Sequence, residues 1–186
     1  MSSQMSVTGM WQWAIDWCSR SDVAYDQSYR NMQTRPSDGK ICFDCSSFTF
    51  FACWLGGGLD VGSLGYNNNL ADYQAGLANA WTVTSMINTL TADGWWQYDP
   101  QTEPWQAGDI LAKVRTHCEI CYSPPSRTMG AHNTARGVSI NDYNTALDYY
   151  DVILRYPGPG PGPTPITLPM PVWLLKRAQD LQRGVS

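Results

Sequence analysis

An apolar segment that opens with a cysteine and ends in three glycines constrains this chain more than any other feature. It covers residues 44–55 and is followed by Gly56-Gly57-Gly58, which can end a helix in a left-handed conformation. Asp44 or Ser46 is the expected N-cap, because a short oxygen side chain accepts a hydrogen bond from an otherwise unpaired amide. Its apolar residues recur at helical spacing and predict one buried face: Phe48, Phe51, Ala52 and Leu55. The sequence therefore predicts a buried helix with Cys45 in its first turn.

The position of Cys45 makes it a candidate nucleophile. The positive end of a helix dipole favours the thiolate over the thiol, and the thiolate is the reactive form. The competing interpretation is a structural cysteine, because cysteine is among the most buried residue types and most cysteines on apolar helices are inert. Residues elsewhere in the chain are needed to decide between the two.

Composition and charge exclude several classes of protein. The chain has 186 residues, which fits one domain with at most a tail, and a net charge of −4 without a Lys/Arg cluster. Nucleic-acid binding through phosphate contacts is therefore not expected. No apolar stretch is long enough to span a bilayer, so no membrane association is predicted. The first residues lack the basic and apolar regions of a signal peptide, and no such signal is predicted.

The hydrophobic period changes from helical to alternating after Gly94, so helices precede strands. The predicted helices cover residues 8–20, 45–55 and 84–92, with a short one near 70–76. The predicted strands cover residues 95–98, 110–114, 117–122, 129–133, 137–140 and 149–156, and residues 23–25 could form another. Thr8 is the expected N-cap of the first helix. This order predicts an α+β fold in which N-terminal helices pack on an antiparallel sheet of roughly five to six strands.

The predicted domain ends at Tyr156, where a Pro/Gly repeat begins. Residues 157–165 have no hydrophobic anchor and are interpreted as a linker after a catalytic domain of residues 1–156. Within the closing segment 166–186, residues 171–183 could form one short amphipathic helix, which is too small for a second domain. This closing segment is expected either to dock on a partner or to fold back.

The only two histidines lie on predicted strands of the second half. One face of the predicted third strand carries three side chains: His117, Glu119 and Cys121. We expect the Cys45 helix to pack on this face, so that His117 reaches the sulfur as the general base. His132 is then expected beside His117 as the orienting group, with Asn133 as the alternative. The competing interpretation for each histidine is a hydrogen-bonded structural residue.

The six cysteines permit a second interpretation, a four-cysteine zinc site. The pairs Cys42-x-x-Cys45 and Cys118-x-x-Cys121 have suitable internal spacing, but the stretch between the pairs is much longer than in ribbon-like sites. Residues three apart on a strand also point to opposite faces, which separates Cys118 from Cys121. We therefore expect no metal and no other cofactor.

The chain resembles the NlpC-like, papain-fold cysteine peptidoglycan hydrolases, in particular the phage endolysin branch of amidases and endopeptidases. The resemblance covers about residues 8–156 and depends on motifs that occur in order: residues 23–30, Asp44-Cys45-Ser46-Ser47-Phe48, Gly108-Asp109-Ile110, His117, His132 and residues 137–142. The core motif is short, so the ordered combination carries the specificity.

The resemblance implies a role for each matching position. Cys45 corresponds to the nucleophile, His117 to the base and His132 to the polar third member. Tyr25 matches a tyrosine whose hydroxyl, with the Cys45 amide, helps to hold the oxyanion. Two further residues are expected to line the substrate groove: Asp44 and Ser46. The residue after the base, Cys118, is expected to face away and to be inert.

The implied function is cleavage of an amide bond in peptidoglycan, as N-acetylmuramoyl-L-alanine amidase or as endopeptidase. The expected setting is a phage lysin, held in the host cytoplasm until lysis or carried in a virion, where the C-terminal segment could contact phage tail proteins. One alternative is a virion or wall-binding protein that has kept the fold without catalysis. The other is a zinc-stabilised interaction module.

Overall fold

The computed structural model describes residues 4–141 and 149–158, and the description of the fold concerns these residues. Its helices are α1 (Val7–Cys18), α2 (Cys45–Phe51), α3 (Leu70–Gln74) and α4 (Val83–Ala92). Its strands are β1 (Val23–Tyr25), β2 (Asn31–Thr34), β3 (Ile41–Phe43), β4 (Trp96–Tyr98), β5 (Ile110–Lys113), β6 (His117–Ser123), β7 (Arg127–Asn133), β8 (Gly137–Asn141) and β9 (Val152–Arg155). The α+β class predicted from the sequence is confirmed.

Six of these strands form one antiparallel sheet in the order β4-β9-β5-β6-β7-β8. Short turns join β5 to β6, β6 to β7 and β7 to β8, so three successive hairpins place these strands side by side. The centre of the sheet is β6, which pairs with β5 on one side and β7 on the other. The predicted strands all occur, with ends that differ by a few residues.

A second, three-stranded sheet lies before α2 and was not predicted as a unit. Its order is β1-β3-β2, with β1 parallel and β2 antiparallel to β3. Only residues 23–25 were considered as a strand. The central strand β3 ends at Phe43, and Asp44 connects it directly to α2. This small sheet therefore fixes where the helix begins.

Helix α2 is buried on all sides, which corrects the prediction of a single apolar face. All seven of its residues are buried, including Phe50, which has no exposed surface. The predicted face residue Leu55 is instead 38% exposed. Beyond Phe51 the helix widens into a π-helical turn over Ala52–Gly56, and the chain leaves it through Gly58 at φ +74°. A helix with neighbours all round cannot be read from one hydrophobic stripe.

The N-cap of α2 is Asp44, one of the two predicted candidates. Its carboxylate accepts a hydrogen bond from the Ser47 amide at 2.7 Å, and the Ser47 hydroxyl accepts one from the Asp44 amide at 3.0 Å. This reciprocal arrangement is a capping box. The N-cap of α1 is Ser6 rather than the predicted Thr8, because the helix begins one residue before Thr8, at Val7.

The two faces of the large sheet pack against different groups of side chains. Cys118 and Ile120 of β6 belong to the main core, which also contains α2. Cys121 belongs to a smaller cluster on the other side: Trp105, Leu111, Tyr150 and Ile153. The prediction that α2 packs on the face of His117, Glu119 and Cys121 is therefore wrong, since α2 packs on the Cys118 face.

Tyr156, near the end of the described residues, contacts the beginning of the chain. The Tyr156 hydroxyl accepts a hydrogen bond from the Met5 amide at 2.9 Å, and its ring packs edge-on against Trp95. None of the helices in the described ranges has the length and apolar character needed to cross a bilayer. The predicted linker from residue 159 onward and the predicted docking segment 166–186 lie outside the described residues.

Candidate active site

The structure brings Cys45 and His117 together. Cys45 is the first residue of α2, directly after the cap Asp44, and it is 6% exposed. His117 is the first residue of β6, and its side chain is 12% exposed. The two side chains are close enough for each to shift the pKa of the other. Two residues that are 72 positions apart in the chain thus lie close together, as a nucleophile and its general base must.

The group that holds His117 is Glu119, which the sequence placed on the same strand face but did not identify as a site residue. Glu119 Oε1 lies 2.7 Å from His117 Nε2 and 2.6 Å from His132 Nδ1. The other carboxylate oxygen accepts hydrogen bonds from the Thr128 hydroxyl and, at 2.6 Å, from the Tyr150 hydroxyl. Glu119 has no exposed surface, and four side chains fix its orientation.

His132 belongs to this cluster but takes a different position from the predicted one. The rings of His117 and His132 are 6.2 Å apart between centroids, and each imidazole bonds the same oxygen of Glu119. The far nitrogen of His132, Nε2, lies 2.9 Å from the Ser139 carbonyl oxygen. The residue in contact with His117 is therefore Glu119, and His132 holds Glu119 in place.

These contacts favour a negative charge on Cys45 and Glu119 and a positive charge on His117. Burial opposes the charged form of His117, but hydrogen bonds to Cys45 and Glu119 outweigh it and raise the pKa of His117 to about 9. Burial also opposes the Glu119 carboxylate, and the two imidazoles nevertheless keep the pKa of Glu119 well below its usual value. For Cys45, hydrogen bonds from Cys118 and His117 overcome burial, so its pKa is strongly lowered. A thiolate beside an imidazolium is the form that these shifts favour at neutral pH.

Cys118 does not face away from the site, which corrects the expectation that it does. Its thiol and its backbone amide both lower the pKa of Cys45. Its sulfur is also 3.6 Å from the Thr49 hydroxyl, one turn along α2. Because α2 packs on the face of β6 opposite to the predicted one, the residue after His117 points at the helix.

Asp44 and Ser46 are buried, each 2% exposed, and do not line a groove as predicted. Asp44 forms an ion pair with Arg30, whose Nε is 3.1 Å from the carboxylate. The Ser46 hydroxyl donates to the Trp81 carbonyl at 2.8 Å and accepts from Arg30 at 2.9 Å. Their polar atoms are thus used to anchor the start of α2 to neighbouring loops.

Tyr25 lies on β1, where it pairs with Phe43 of the strand that leads into Cys45. Its ring is partly buried, and its hydroxyl accepts a hydrogen bond from the Gln27 amide group at 2.6 Å. That bond uses a lone pair of the oxygen and leaves the hydroxyl proton available to another acceptor. Tyr25 is thus aligned with Phe43, which is two residues before Cys45, and the oxyanion role implied by the resemblance stays a prediction.

Asn133 is not an alternative to His132, because its side chain has a different function. Its Oδ1 accepts hydrogen bonds from the amides of Ala135 and Arg136, both at 3.0 Å, and stabilises the turn between β7 and β8. An Asn side chain that bonds backbone amides two and three residues ahead is common in tight turns.

The cysteines of the proposed zinc site do not come together. Cys121 lies in the smaller cluster on the other face of the sheet from Cys118, and the Cys42 thiol donates to the Lys40 carbonyl at 3.5 Å. Among the described residues, one group has ligand atoms close enough to hold a metal ion: His117, Glu119 and His132, with all three atoms within 4.8 Å of one another. Those same atoms hydrogen-bond one another, so a metal would have to displace these bonds.

Comparison of the sequence with protein-family models and with curated proteins gives no match. Function is therefore inferred from the arrangement of the side chains. A thiolate at a helix N-terminus, an imidazolium bonded to it and a buried carboxylate behind the imidazole can together perform nucleophilic acyl transfer.

Proposed function

We propose that this protein is a peptidoglycan hydrolase, a phage lysin with a papain-like, NlpC-type fold that cleaves an amide bond by a Cys-His thiol mechanism. The observation that carries the proposal is the position of His117, which lowers the pKa of Cys45 and lies 2.7 Å from an oxygen of buried Glu119. The substrate class is supported by the ordered motifs around Cys45, His117 and His132.

The reaction begins with attack of the Cys45 thiolate on the carbonyl carbon of the scissile amide. Because Nε2 of His117 is bonded to Glu119, Nδ1 is the ring nitrogen left to give a proton to the leaving amine. The C–N bond breaks and a thioacyl enzyme remains. His117 then takes a proton from water, the hydroxide attacks the thioester, and the released acid leaves Cys45 as a thiolate again.

Developing negative charge on the carbonyl oxygen needs preformed donors. The amide of Cys45 is at the first position of α2, where backbone N–H groups have no partner within the helix. The hydroxyl proton of Tyr25 is the second proposed donor, next to β3. One such donor contributes roughly 3–4 kcal/mol to the stabilisation of the transition state.

The test is incubation of the full-length protein with purified peptidoglycan, followed by mass spectrometry of the soluble fragments. We expect new amino termini at one defined bond, lost in Cys45→Ala and in His117→Ala but kept in Cys42→Ala, which removes a thiol three residues away. A new terminus at the first alanine of the stem peptide identifies an amidase, and a terminus further along the peptide identifies an endopeptidase.

Two outcomes would contradict the proposal. If Cys45→Ala keeps the biological effect on cells, the protein is a wall-binding or virion component that acts without catalysis. If a chelator abolishes turnover and zinc restores it, the cluster of His117, Glu119 and His132 acts through a metal, and the thiol mechanism is wrong.

A further inference from the structure

The active-site sulfur has a second thiol beside it. Cys118, on the strand that packs against α2, is the neighbour that lowers the pKa of Cys45 most. Cys118 is held there from α2 as well: its sulfur is 3.6 Å from the Thr49 hydroxyl, which in turn donates to the Cys45 carbonyl at 3.1 Å. The Thr49 hydroxyl therefore contacts both the Cys118 sulfur and the Cys45 carbonyl, which places Cys118 against the first turn of α2.

The other thiols of the described chain are engaged elsewhere. Cys53 lies 3.5 Å from the sulfur of Met10 in the core, Cys42 bonds the Lys40 carbonyl, and Cys121 is on the far side of the sheet. Cys18, the last residue of α1, lies beside the backbone of Gly130 in β7. Among the described cysteines, Cys118 is the one that shifts the pKa of Cys45, and it has no exposed surface. External thiols cannot reach Cys118, which has no exposed surface, whereas a small part of the surface of Cys45 is exposed.

We propose that Cys45 is a peroxide-sensitive site and that Cys118 is its resolving cysteine, so that oxidation ends in a reversible Cys45–Cys118 disulfide. The cross-link itself depends only on the two sulfurs, while its effect on wall cleavage rests on the proposed function. The oxidant is hydrogen peroxide or an organic hydroperoxide, reagents small enough to reach a sulfur that is 6% exposed.

The chemistry has two steps. The Cys45 thiolate attacks one peroxide oxygen, the O–O bond breaks, and the departing hydroxide takes a proton to become water; the sulfur is oxidised to a sulfenic acid. The Cys118 sulfur then attacks the Cys45 sulfur, an S–S bond forms, the S–O bond breaks, and the hydroxyl leaves with the Cys118 proton as a second water. Two thiol hydrogens and one peroxide are consumed.

Electrostatics favours this order. While Cys45 is a thiolate, its charge and the burial of Cys118 keep the pKa of Cys118 well above its usual value, so Cys118 stays protonated. The sulfenic acid is neutral, which removes the repulsion that Cys118 experiences as it ionises. Cys118 therefore becomes a better nucleophile only after Cys45 has been oxidised.

The test treats the full-length protein with a small excess of hydrogen peroxide and measures intact mass without reductant. We expect the wild type to lose two hydrogens in mass, to yield a cross-linked peptide containing Cys45 and Cys118, and to recover its original mass and wall-cleaving activity with a thiol reductant. Cys121→Ala, the matched control on the same strand, should form the same cross-link.

In Cys118→Ala we expect no cross-link; Cys45 should instead gain oxygen atoms up to the sulfinic acid, which reductant does not reverse. Cys118→Val fills the buried site with a side chain of similar size and guards against loss of fold in the alanine variant. The proposal is overturned if wild type gains oxygen without losing hydrogens, or if either Cys118 variant still forms an internal disulfide with Cys45. A cross-link in a protein that never cleaves walls would refute the proposed function and leave this inference standing.

Discussion

Glu119 is the residue on which the proton chemistry depends. It lies between the two histidines with its charge enclosed, and it determines both the orientation and the charge of His117. A carboxylate in this position keeps the imidazole in the tautomer that can exchange a proton with the sulfur. It touches no reacting atom, so Glu119 is a positioning residue.

Replacing Glu119 by Gln should lower kcat for wall cleavage by roughly 10²–10⁴-fold, because the amide keeps the shape but no longer stabilises the imidazolium. The upper limit of the pH–rate profile should also move down from about 9, since a hydrogen bond that raises the pKa of His117 is weakened. Initial rates across the pH range measure both effects. Asn133→Ala, which changes a turn near the cluster, should leave the profile in place; an unshifted profile in Glu119→Gln would exclude the positioning role.

The pH dependence of the wild type follows from the same shifts. The pKa of His117 is raised, so its proton is held below about 9 and lost above it; the rate should therefore fall as pH rises through about 9. The lowered pKa of Cys45 keeps the thiolate through neutral pH, and the acidic fall should come far below the usual thiol value of 9.0. A plateau across neutral pH, measured as kcat/KM on soluble wall fragments, is expected. A rate that climbs steadily from neutral to alkaline pH would show an ordinary thiol at Cys45.

Sequence reasoning found Cys45 and His117 because each has a local signature, a helix start and a strand start. It did not find Glu119 as their partner, although strand alternation had placed Glu119 on the same face as His117. The missing information was how the side chains of β6 and β7 meet, which lets His132 bond the same oxygen of Glu119 that bonds His117.

Helix α2 depends on its first residues more than on its apolar length. Asp44 caps the helix, pairs with Arg30 and is itself buried, so one carboxylate joins α2 to the loop before β2. Burial raises the pKa of Asp44 even with Arg30 beside it. Asp44 therefore has a structural role, and its substitution should lower the stability of the protein.

Asp44→Ala should lower the free energy of unfolding by about 3 kcal/mol, near the lower end of the range for breaking a buried ion pair, because the Arg30 side chain is still 20% exposed. Asp44→Asn keeps an oxygen for the Ser47 amide and should lose less. Urea unfolding monitored by tryptophan fluorescence measures both variants. A groove-lining role would appear instead as a higher KM with unchanged stability.

The hairpin strands were predictable because each is bounded by turn residues and has an alternating pattern. The three-stranded sheet was missed because β2 (Asn31–Thr34) is mostly polar and β3 (Ile41–Phe43) runs directly into the segment predicted as a helix. Its central strand pairs in parallel with β1 across a loop, a contact between distant residues that local pattern does not encode. The prediction of the β6 face on which α2 packs was wrong for the same reason, because it also depends on contacts between distant residues.

The folded domain should be complete without the closing segment. A chain that stops after Tyr156 keeps the hydrogen bond to Met5 and the contact with Trp95, so we expect wall cleavage in soluble fragments and the melting temperature to match those of the full chain. We expect this truncation to impair localisation or assembly instead.

Tyr156→Phe in the full chain is the matched control for the end of the domain. It removes only the hydroxyl that accepts the Met5 amide and should cost roughly 1 kcal/mol of stability. Loss of turnover in the truncated chain with Tyr156 intact would mean that the closing segment contributes to catalysis, and the predicted division at this point would then be wrong.

Five of the six thiols of this chain resist ionisation because burial raises their pKa values: Cys18, Cys42, Cys53, Cys118 and Cys121. Cys45 is the one acidic thiol, because its neighbours lower its pKa in spite of burial. A mild alkylating dye applied at slightly acidic pH should consequently tag a single position. Such a dye would count competent molecules in a preparation, or follow them on a bacterial surface, without any of the other cysteines having to be engineered away.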